Sequence, residues 1–385
     1  MMDDGKKPEW AEGMDSAGFA SVVKKGVDGN PITEPKRTSR FIKPSKRTIN
    51  LNEIKKGLLQ GDRPMLAKAI TLIESNAPHH FDDAQQLLQT ILPYSGHSVR
   101  IGISGVPGAG KSTFIESFGT FLCSLGHNVA VLAVDPSSSV GGGSILGDKT
   151  RMEGLARNPK AFIRPSPSGG TLGGVHRKTR ETIVVCEAAG FDIILIETVG
   201  VGQSESMVRS MSDFFMLLAL TGAGDELQGM KKGIMELVDA VIVNKADGQN
   251  RPLALKTKAE YSRILHFLQP ATKGWPAKAY ACSSLTGDGI SELWDAIGDF
   301  VRVTKESGAF DERRRTQSKE WMYSLIHDSL HNMFFKNGKI KDILPVLENQ
   351  VASGNKTVAK AVQECFEVFH EAIQNGGLTD KKEKG

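Results

Sequence analysis

Residues 105–112 read Gly-Val-Pro-Gly-Ala-Gly-Lys-Ser, the most informative segment of the chain for its fold. Its glycines have the spacing at which backbone N–H groups converge on phosphate oxygens. The apolar run 99–104 precedes the stretch, and a helical pattern of apolar residues follows it from Phe114 to Leu122. This strand–loop–helix order is the context that a phosphate-binding loop requires, so the sequence predicts a nucleotide-binding α/β domain.

The loop supplies the predicted phosphate contacts. We expect the Lys111 ammonium to neutralise the terminal phosphates and the Ser112 hydroxyl to bind Mg²⁺. The predicted nucleotide-binding residues of this segment are Gly105, Val106, Pro107, Gly108, Ala109, Gly110, Lys111, Ser112 and Thr113.

A second motif, Asn-Lys-Ala-Asp at 244–247, follows the apolar run 238–243, which reads as a buried strand. Ligands bind at the carboxyl ends of the strands in open parallel sheets. Asp247 can accept hydrogen bonds from the guanine N1–H and exocyclic amine, a donor pair that adenine lacks. We therefore predict that Asn244, Lys245 and Asp247 bind the base of GTP or GDP.

Ser283 and Ser284 are a further candidate for base contacts. They follow a short apolar strand at 279–282, where GTPases use backbone groups of a short loop to contact guanine O6.

The strand 192–197 ends in Glu197, the first residue of an acid-x-x-Gly sequence that ends at Gly200. We expect Glu197 to hold Mg²⁺ directly or through water, and the Gly200 N–H to contact the γ-phosphate. Small GTPases place a water-orienting Gln immediately after that glycine. Here the position is Val201, and Gln203 lies two residues further along. The sequence therefore predicts slow hydrolysis that a partner, or ordering of the protein's own loops, accelerates.

Two glycine-rich segments follow other strands at the same edge of the predicted sheet. The first contains Asp135 and Asp148, which are further candidates for the metal, with ordinary turn aspartates as the alternative. The second runs from 222 to 233, and its Lys231 is a candidate to supply charge near the phosphates or to contact a partner. A solvated loop is the alternative interpretation of this second segment.

Composition argues against several classes of protein. The 385 residues, of which 39% are hydrophobic and 24% charged, are typical of a soluble protein with two or three domains. A net charge of +4 is too small to indicate a nucleic-acid partner, and no apolar run reaches the length of a membrane span. Four scattered cysteines without a C-x-x-C pair argue against zinc or disulfides and fit the reducing cytoplasm. The N-terminus resembles neither a signal peptide nor a transit peptide.

Alternating strand and helix patterns predict an α/β fold with a mostly parallel sheet and helices on both faces. The predicted strands are 99–104, 129–134, 161–164, 192–197, 213–220, 238–243 and 279–282. The predicted division of the chain is a disordered basic extension (1–48), an N-terminal helical segment (49–95), the nucleotide-binding domain (96–304) and a C-terminal helical arm (305–385).

As a set, these motifs resemble the MeaB family, GTPase chaperones of methylmalonyl-CoA mutase that are similar to the methylmalonic aciduria type A protein. The resemblance runs from about residue 50 to residue 375, through G-V-P-G-A-G-K-S, A-V-D-P-S-S, G-D-K-T-R-M, E-T-V-G-V-G-Q-S-E, G-A-G-D-E-L-Q-G-M-K-K-G and N-K-A-D. It implies a homodimer, joined through the C-terminal arm, that binds a cobalamin-dependent acyl-CoA mutase. It also implies that the protein gates adenosylcobalamin loading and protects or reactivates the mutase.

The resemblance also implies roles for single residues. The metal residues that it implies are Ser112, Asp135, Asp148 and Glu197. It places Asp225 and Lys231 in a third switch through which the partner stimulates hydrolysis. The resulting set of predicted catalytic residues is Lys111, Glu197, Asp225 and Lys231. Nothing transfers to residues 1–48.

Three other functions are alternatives to this one. An ArgK-type kinase of a transport system would need ATP, which Asp247 argues against. A GTPase metallochaperone for another metalloenzyme, such as a nickel enzyme, would be expected to carry a histidine tract or a C-x-x-C pair. A signal-recognition-type targeting GTPase would bring a methionine-rich domain, and twelve scattered methionines do not make one.

Overall fold

The structure is a computed structural model that describes residues 50–134, 152–165, 172–198, 205–221 and 232–376. The extension 1–48, predicted to be disordered, lies outside these residues. Within them, helices precede, surround and follow a parallel sheet.

Three helices precede the sheet: α1 (Leu51–Leu59), α2 (Arg63–Glu74) and α3 (Pro78–Ile91). Asp62 is the N-cap of α2, since its carboxylate accepts a hydrogen bond from the Met65 N–H. The apolar faces of these helices are buried, as shown by Leu58, Leu66 and Ile70. Leu59, at the end of α1, is 37% exposed.

The sheet has seven strands within the described residues, and every neighbouring pair is parallel. The strands are β1 (Val99–Gly105), β2 (Val129–Val134), β3 (Ala161–Arg164), β4 (Ile193–Thr198), β5 (Phe214–Ala219), β6 (Ala240–Val243) and β7 (Lys278–Ala281). Their order across the sheet is β3-β2-β4-β1-β5-β6-β7. Four of them, β2, β4, β5 and β6, are buried along their whole length, which requires cover on both faces. The predicted fold class is confirmed.

The helices that cover the sheet are α4 (Lys111–Ser124), α5 (Glu153–Arg157), α6 (Leu172–Ala188), α7 (Glu205–Arg209), α8 (Lys232–Met235), α9 (Arg251–Phe267) and α10 (Ile290–Glu306). Ile101 and Ile103 of β1 pack in one core cluster with Phe114 of α4 and Leu293 of α10. Gly102, which points to the opposite side of the strand, lies against α7. Helices therefore lie on both faces of the sheet.

The chain continues in α11 (Ala309–Phe335), α12 (Gly338–Ala352) and α13 (Val358–Gly376). The first turns of α11 are anchored by ion pairs at the edge where the strands begin. Arg314 donates to both carboxylate oxygens of Asp213, at 2.8 and 2.6 Å. Arg313 lies 3.3 Å from the Asp239 carboxylate. Each acid is 1% exposed and directly precedes a strand, so this anchor is part of the protein interior.

Further along, α11–α13 expose many large apolar side chains, among them Met322, Tyr323, Ile326, Leu330, Val358, Val362 and Phe366. A small cluster of Leu347, Ala361 and Cys365 joins α12 to α13. Despite these apolar surfaces, none of the helices in the described ranges is long and apolar enough to cross a membrane.

Candidate functional site

The predicted site residues that the structure describes come together at the carboxyl edge of the sheet. The phosphate loop follows β1, Glu197 lies in the last two residues of β4, and the Asn244–Asp247 motif follows β6. Ser283 and Ser284 follow β7. Because β4, β1, β5, β6 and β7 are consecutive in the sheet, the described residues at the ends of β4, β1, β6 and β7 lie side by side along this edge, which is called the groove below.

The phosphate loop is shaped by two glycines that other residues could not replace. A Cβ at Gly105 would lie 2.5 Å from the Leu218 carbonyl oxygen, so β1 could not pair closely with β5 there. Gly110 has a φ of +83°, and a Cβ on it would lie 3.0 Å from the Asn244 Nδ2. The loop therefore owes its path to backbone geometry that favours glycine.

The Lys111 ammonium lies inside this loop, where Nζ donates to the Gly105 carbonyl oxygen at 2.8 Å. The pKa of Lys111 lies below its ordinary value, because burial lowers it more than the negative charges of Glu197 and Glu205 raise it. A partly buried cation at the N-terminus of α4 is suited to bind anionic phosphate, since the helix dipole adds to its charge. Glu205 was not among the predicted site residues, although it ends the E-T-V-G-V-G-Q-S-E motif.

The described residues fit Mg²⁺. Glu197 offers a carboxylate that is only 7% exposed, and Ser112 offers a half-buried hydroxyl in the first turn of α4. Among the described residues, no group of three or more acidic, histidine or cysteine side chains could hold a metal ion. Mg²⁺ typically takes one or two carboxylates together with substrate phosphates and water, and the Glu197 carboxylate and the Ser112 hydroxyl are oxygen ligands of this kind.

Asn244 connects three parts of the groove. Its Nδ2 donates to the Ala109 carbonyl oxygen of the phosphate loop at 2.9 Å. Its Oδ1 accepts from the Ser284 hydroxyl at 2.7 Å. Asn244 is 1% exposed, so these bonds are shielded from water. The residue therefore fixes the distance between the phosphate end and the base end of the site.

Ser283 lies behind Asp247. Its hydroxyl donates to the Asp247 Oδ2 at 2.6 Å and accepts from the Thr286 N–H at 3.1 Å, and the residue is fully buried. The bond aims the half-buried Asp247 carboxylate, so Ser283 acts on the base site through Asp247. The sequence could not reveal this role, because the hydroxyl and the carboxylate are 36 residues apart.

Lys245 has a φ of +61°, a left-handed conformation that is uncommon for a residue with a side chain. Its Cε lies 3.8 Å from the position of a Cβ on Gly110, so the lysine stem extends across the phosphate loop. Strained backbone of this kind occurs where the surrounding structure enforces it, often at binding sites. Here it directs an exposed side chain over the groove.

Several predicted site residues lie outside the described ranges. They are Asp135, Asp148, Gly200, Asp225 and Lys231, and the same holds for Val201 and Gln203. Their roles stay predictions.

Comparison with known proteins identifies relatives for most of the chain. The family model described as methylmalonyl Co-A mutase-associated GTPase MeaB matches residues 66–339. A probable GTPase of Mycobacterium tuberculosis is 51% identical over 308 residues, which cover 80% of this chain and 92% of that protein. The mouse methylmalonic aciduria type A homolog, mitochondrial, is 46% identical over 323 residues, which cover 81% of this chain and 78% of that protein.

A solved structure has the same architecture. The crystal structure of an LAO/AO transport system kinase aligns with a TM-score of 0.69 and 38% sequence identity. The alignment covers 83% of this chain and 97% of that one. The similarity therefore extends beyond the sheet to the flanking helices.

Proposed function

The chain belongs to the MeaB family of methylmalonyl-CoA mutase-associated GTPases, and we propose that it is a GTP-hydrolysing chaperone of a cobalamin-dependent acyl-CoA mutase. In this proposal it gates the loading of adenosylcobalamin and protects or reactivates the mutase. The state of the bound nucleotide is the signal that the mutase reads.

The observation that carries the proposal is the Asn244 bridge. It joins the loop that would bind phosphates to the loops that would bind a base, through bonds to Ala109 and Ser284. Ser283 orients the Asp247 carboxylate. Guanine would donate hydrogen bonds to this carboxylate, whereas adenine would leave it desolvated and without a hydrogen-bond donor. Such a groove favours GTP over ATP.

Hydrolysis would use the residues around the phosphates. Lys111 would neutralise charge that develops on the phosphoryl group, and a bound Mg²⁺ would supply further charge neutralisation at the β- and γ-phosphates. The residues proposed to hold the metal are Ser112, Asp135, Asp148 and Glu197. Asp225 and Lys231 would act when the mutase is bound, so that hydrolysis is slow alone and faster in the complex.

We also propose that the protein is a homodimer joined through α11–α13. This arm exposes Met322 (51%) and Phe366 (59%), and an apolar cavity of about 740 Å³ lies between its helices. Contiguous apolar surface of this kind is rarely left in water and marks an interaction site. A second copy of the arm presents the same surface and would cover it.

The proposal is tested by measuring GTP and ATP hydrolysis with and without methylmalonyl-CoA mutase. We expect slow release of inorganic phosphate from GTP, little from ATP, and a faster rate with GTP when the mutase is present. No acceleration and no complex with any cobalamin mutase would refute the chaperone role. Equal binding of ATP and GTP would refute the assignment of Asp247.

The second candidate is a kinase of a transport system, which the similarity to an LAO/AO transport system kinase favours. A kinase would move the terminal phosphate to an acceptor protein, whereas a GTPase releases it as inorganic phosphate. γ-Labelled GTP and ATP therefore distinguish the two, since label on a protein acceptor supports the kinase.

A further inference from the structure

β1 carries two unusual residues just before the phosphate loop. Side chains alternate along a strand, so Gly102 and Ser104 share one face, while Ile101 and Ile103 pack into the core with α4 on the other. A glycine within a strand often marks a site where another element approaches closely. Polar Ser104 is 1% exposed, so it also requires a partner in the interior.

The partner of Ser104 is Thr198. The Thr198 hydroxyl donates to the Ser104 Oγ at 3.0 Å, and Thr198 is fully buried. Ile103 pairs in register with Glu197, so Ser104 and Thr198 are the next pair along β1 and β4. Their bond therefore holds the end of β4, with the Glu197 carboxylate, against the end of β1, where the phosphate loop begins.

Gly102 allows α7 to approach β1 closely. A Cβ at this position would lie 2.7 Å from the Ser212 Oγ, 2.8 Å from Phe215 Cδ2 and 2.9 Å from Val208 Cγ1. Val208 belongs to α7, so a side chain at position 102 would press against that helix as well as against Ser212 and Phe215, which follow it. The same helix begins at Glu205, whose negative charge acts on Lys111.

We infer that Gly102, Ser104 and Thr198 are positioning residues for GTP hydrolysis. All three are buried beneath the groove, so they act through Glu197 and α7 rather than by touching the nucleotide. The Thr198–Ser104 bond sets the distance from Glu197 to the phosphate loop, and Gly102 sets the height of α7 above β1. They determine the rate of hydrolysis rather than the affinity for GTP. This inference rests on the proposed GTPase activity.

The first test is Thr198→Val, which keeps the shape of the side chain and removes the donor. We expect kcat for GTP hydrolysis to fall about fivefold, the effect of one buried hydrogen bond, with KM changed by less than about twofold. Thr198→Ser should restore the rate. Ser104→Ala should have the same effect as Thr198→Val, and the double variant should be no slower, since both changes break one bond.

A matched control is Thr304→Val in α10. Thr304 is fully buried and its hydroxyl donates to the Phe300 carbonyl oxygen at 2.6 Å, within α10 and away from the groove. It should leave kcat unchanged. A binding measurement adds a readout that does not depend on turnover. GTP is held constant and Mg²⁺ is titrated, and the Mg²⁺ concentration that gives half of the maximal rise in melting temperature is determined. This concentration should be higher for Thr198→Val than for wild type, and equal to wild type for Thr304→Val.

The second test compares Gly102→Ala with Gly298→Ala. A Cβ at Gly298 meets nothing within 4 Å, so this control should be active and stable. Gly102→Ala should lower kcat more than about tenfold, and removing the Val208 side chain in the same protein should recover part of the loss. If Gly102→Ala does not fold, the Thr198 and Ser104 variants still decide the matter.

Each outcome bears on one claim. Wild-type protein that hydrolyses no GTP would refute the proposed activity, and the Mg²⁺ titration would then test the positioning role alone. Active wild type with Thr198→Val within about twofold of its kcat would overturn the inference. An equal loss of kcat in Thr304→Val would also overturn it, because general destabilisation would then explain both.

Discussion

Arg314→Ala should destabilise the protein far more than Arg315→Ala, its neighbour in α11. Arg314 donates to both oxygens of Asp213, and also to the carbonyl oxygens of Gly96 and Ser98 at 2.6 Å each. Burial alone would lower the pKa of Arg314, but the bonds to Asp213 raise it above its ordinary value. Arg315 is exposed.

The expected loss follows from what the truncation leaves behind. Removing one partner of a buried ion pair costs about 3–5 kcal/mol, because the other charge stays in the interior without compensation. Asp213 is 1% exposed and would keep one hydrogen bond, from the Arg100 N–H at 2.8 Å. We therefore expect Arg314→Ala to lose unfolding free energy at the lower end of this range, about 3 kcal/mol, and Arg315→Ala to lose less than about 0.5 kcal/mol.

Urea denaturation of the full chain at neutral pH measures both variants against wild type. The double variant Asp213→Asn/Arg314→Ala should be less destabilised than the sum of the single changes, since the two side chains form one pair. A loss in Arg314→Ala equal to that in Arg315→Ala would refute the reasoning. Additive losses in the double variant would equally contradict it.

Three more predictions concern other parts of the molecule. The pKa of Glu187 lies below its ordinary value, because the Arg100 charge and hydrogen bonds from Arg100, Ser98 and Gly96 outweigh burial, which alone would raise it. An acid whose pKa is lower in the folded state stabilises the fold at pH values above its unfolded pKa, and this stabilisation is lost as the pH falls through the folded pKa. The difference in unfolding free energy between wild type and Glu187→Gln, measured by urea denaturation, should therefore be constant above about pH 5 and shrink below about pH 4. Ser283→Ala should weaken GTP binding about fivefold and reduce the preference over ATP, measured by titration with fluorescent nucleotides, because Asp247 loses a 2.6 Å bond. The proposed dimer predicts that Phe366→Glu shifts the protein to a monomer in light scattering, whereas Lys360→Glu, at an exposed polar position of the same helix, does not.

The sequence predicted the parts of the fold that depend on local pattern. β2, β4 and β5 are nearly uninterrupted apolar runs, so the predicted strands 129–134, 192–197 and 213–220 lie close to the observed bounds. The groove was predicted because the phosphate loop and the Asn244–Asp247 motif have fixed spacing and both follow strands.

What the sequence could not predict depends on contacts between distant residues. The charge run that contains Arg313 and Arg314 reads like solvated polar sequence, yet Arg314 pairs with Asp213, 101 residues away. Likewise, Thr198 and Ser104 are 94 residues apart, and a single hydroxyl carries no signal of its partner. Long-range polar pairing is set by the tertiary fold, so local periodicity contains no information about it.

The anchor of α11 and the nucleotide groove lie at opposite edges of one sheet. Strands of four to seven residues rise about 3.3 Å per residue, so roughly 13–23 Å separate the two edges and no side chain of α11 at the anchor can reach GTP. α7 interacts with both regions. The negative charge of its first residue, Glu205, acts on the Lys111 ammonium. The guanidinium of its last residue, Arg209, lies 3.7 Å from the Asp239 carboxylate, and the Arg209 carbonyl oxygen accepts a hydrogen bond from Gln317 of α11. A shift of α7 along its axis would therefore change the contacts of α11, and an arm fixed by a partner would restrain α7 in return.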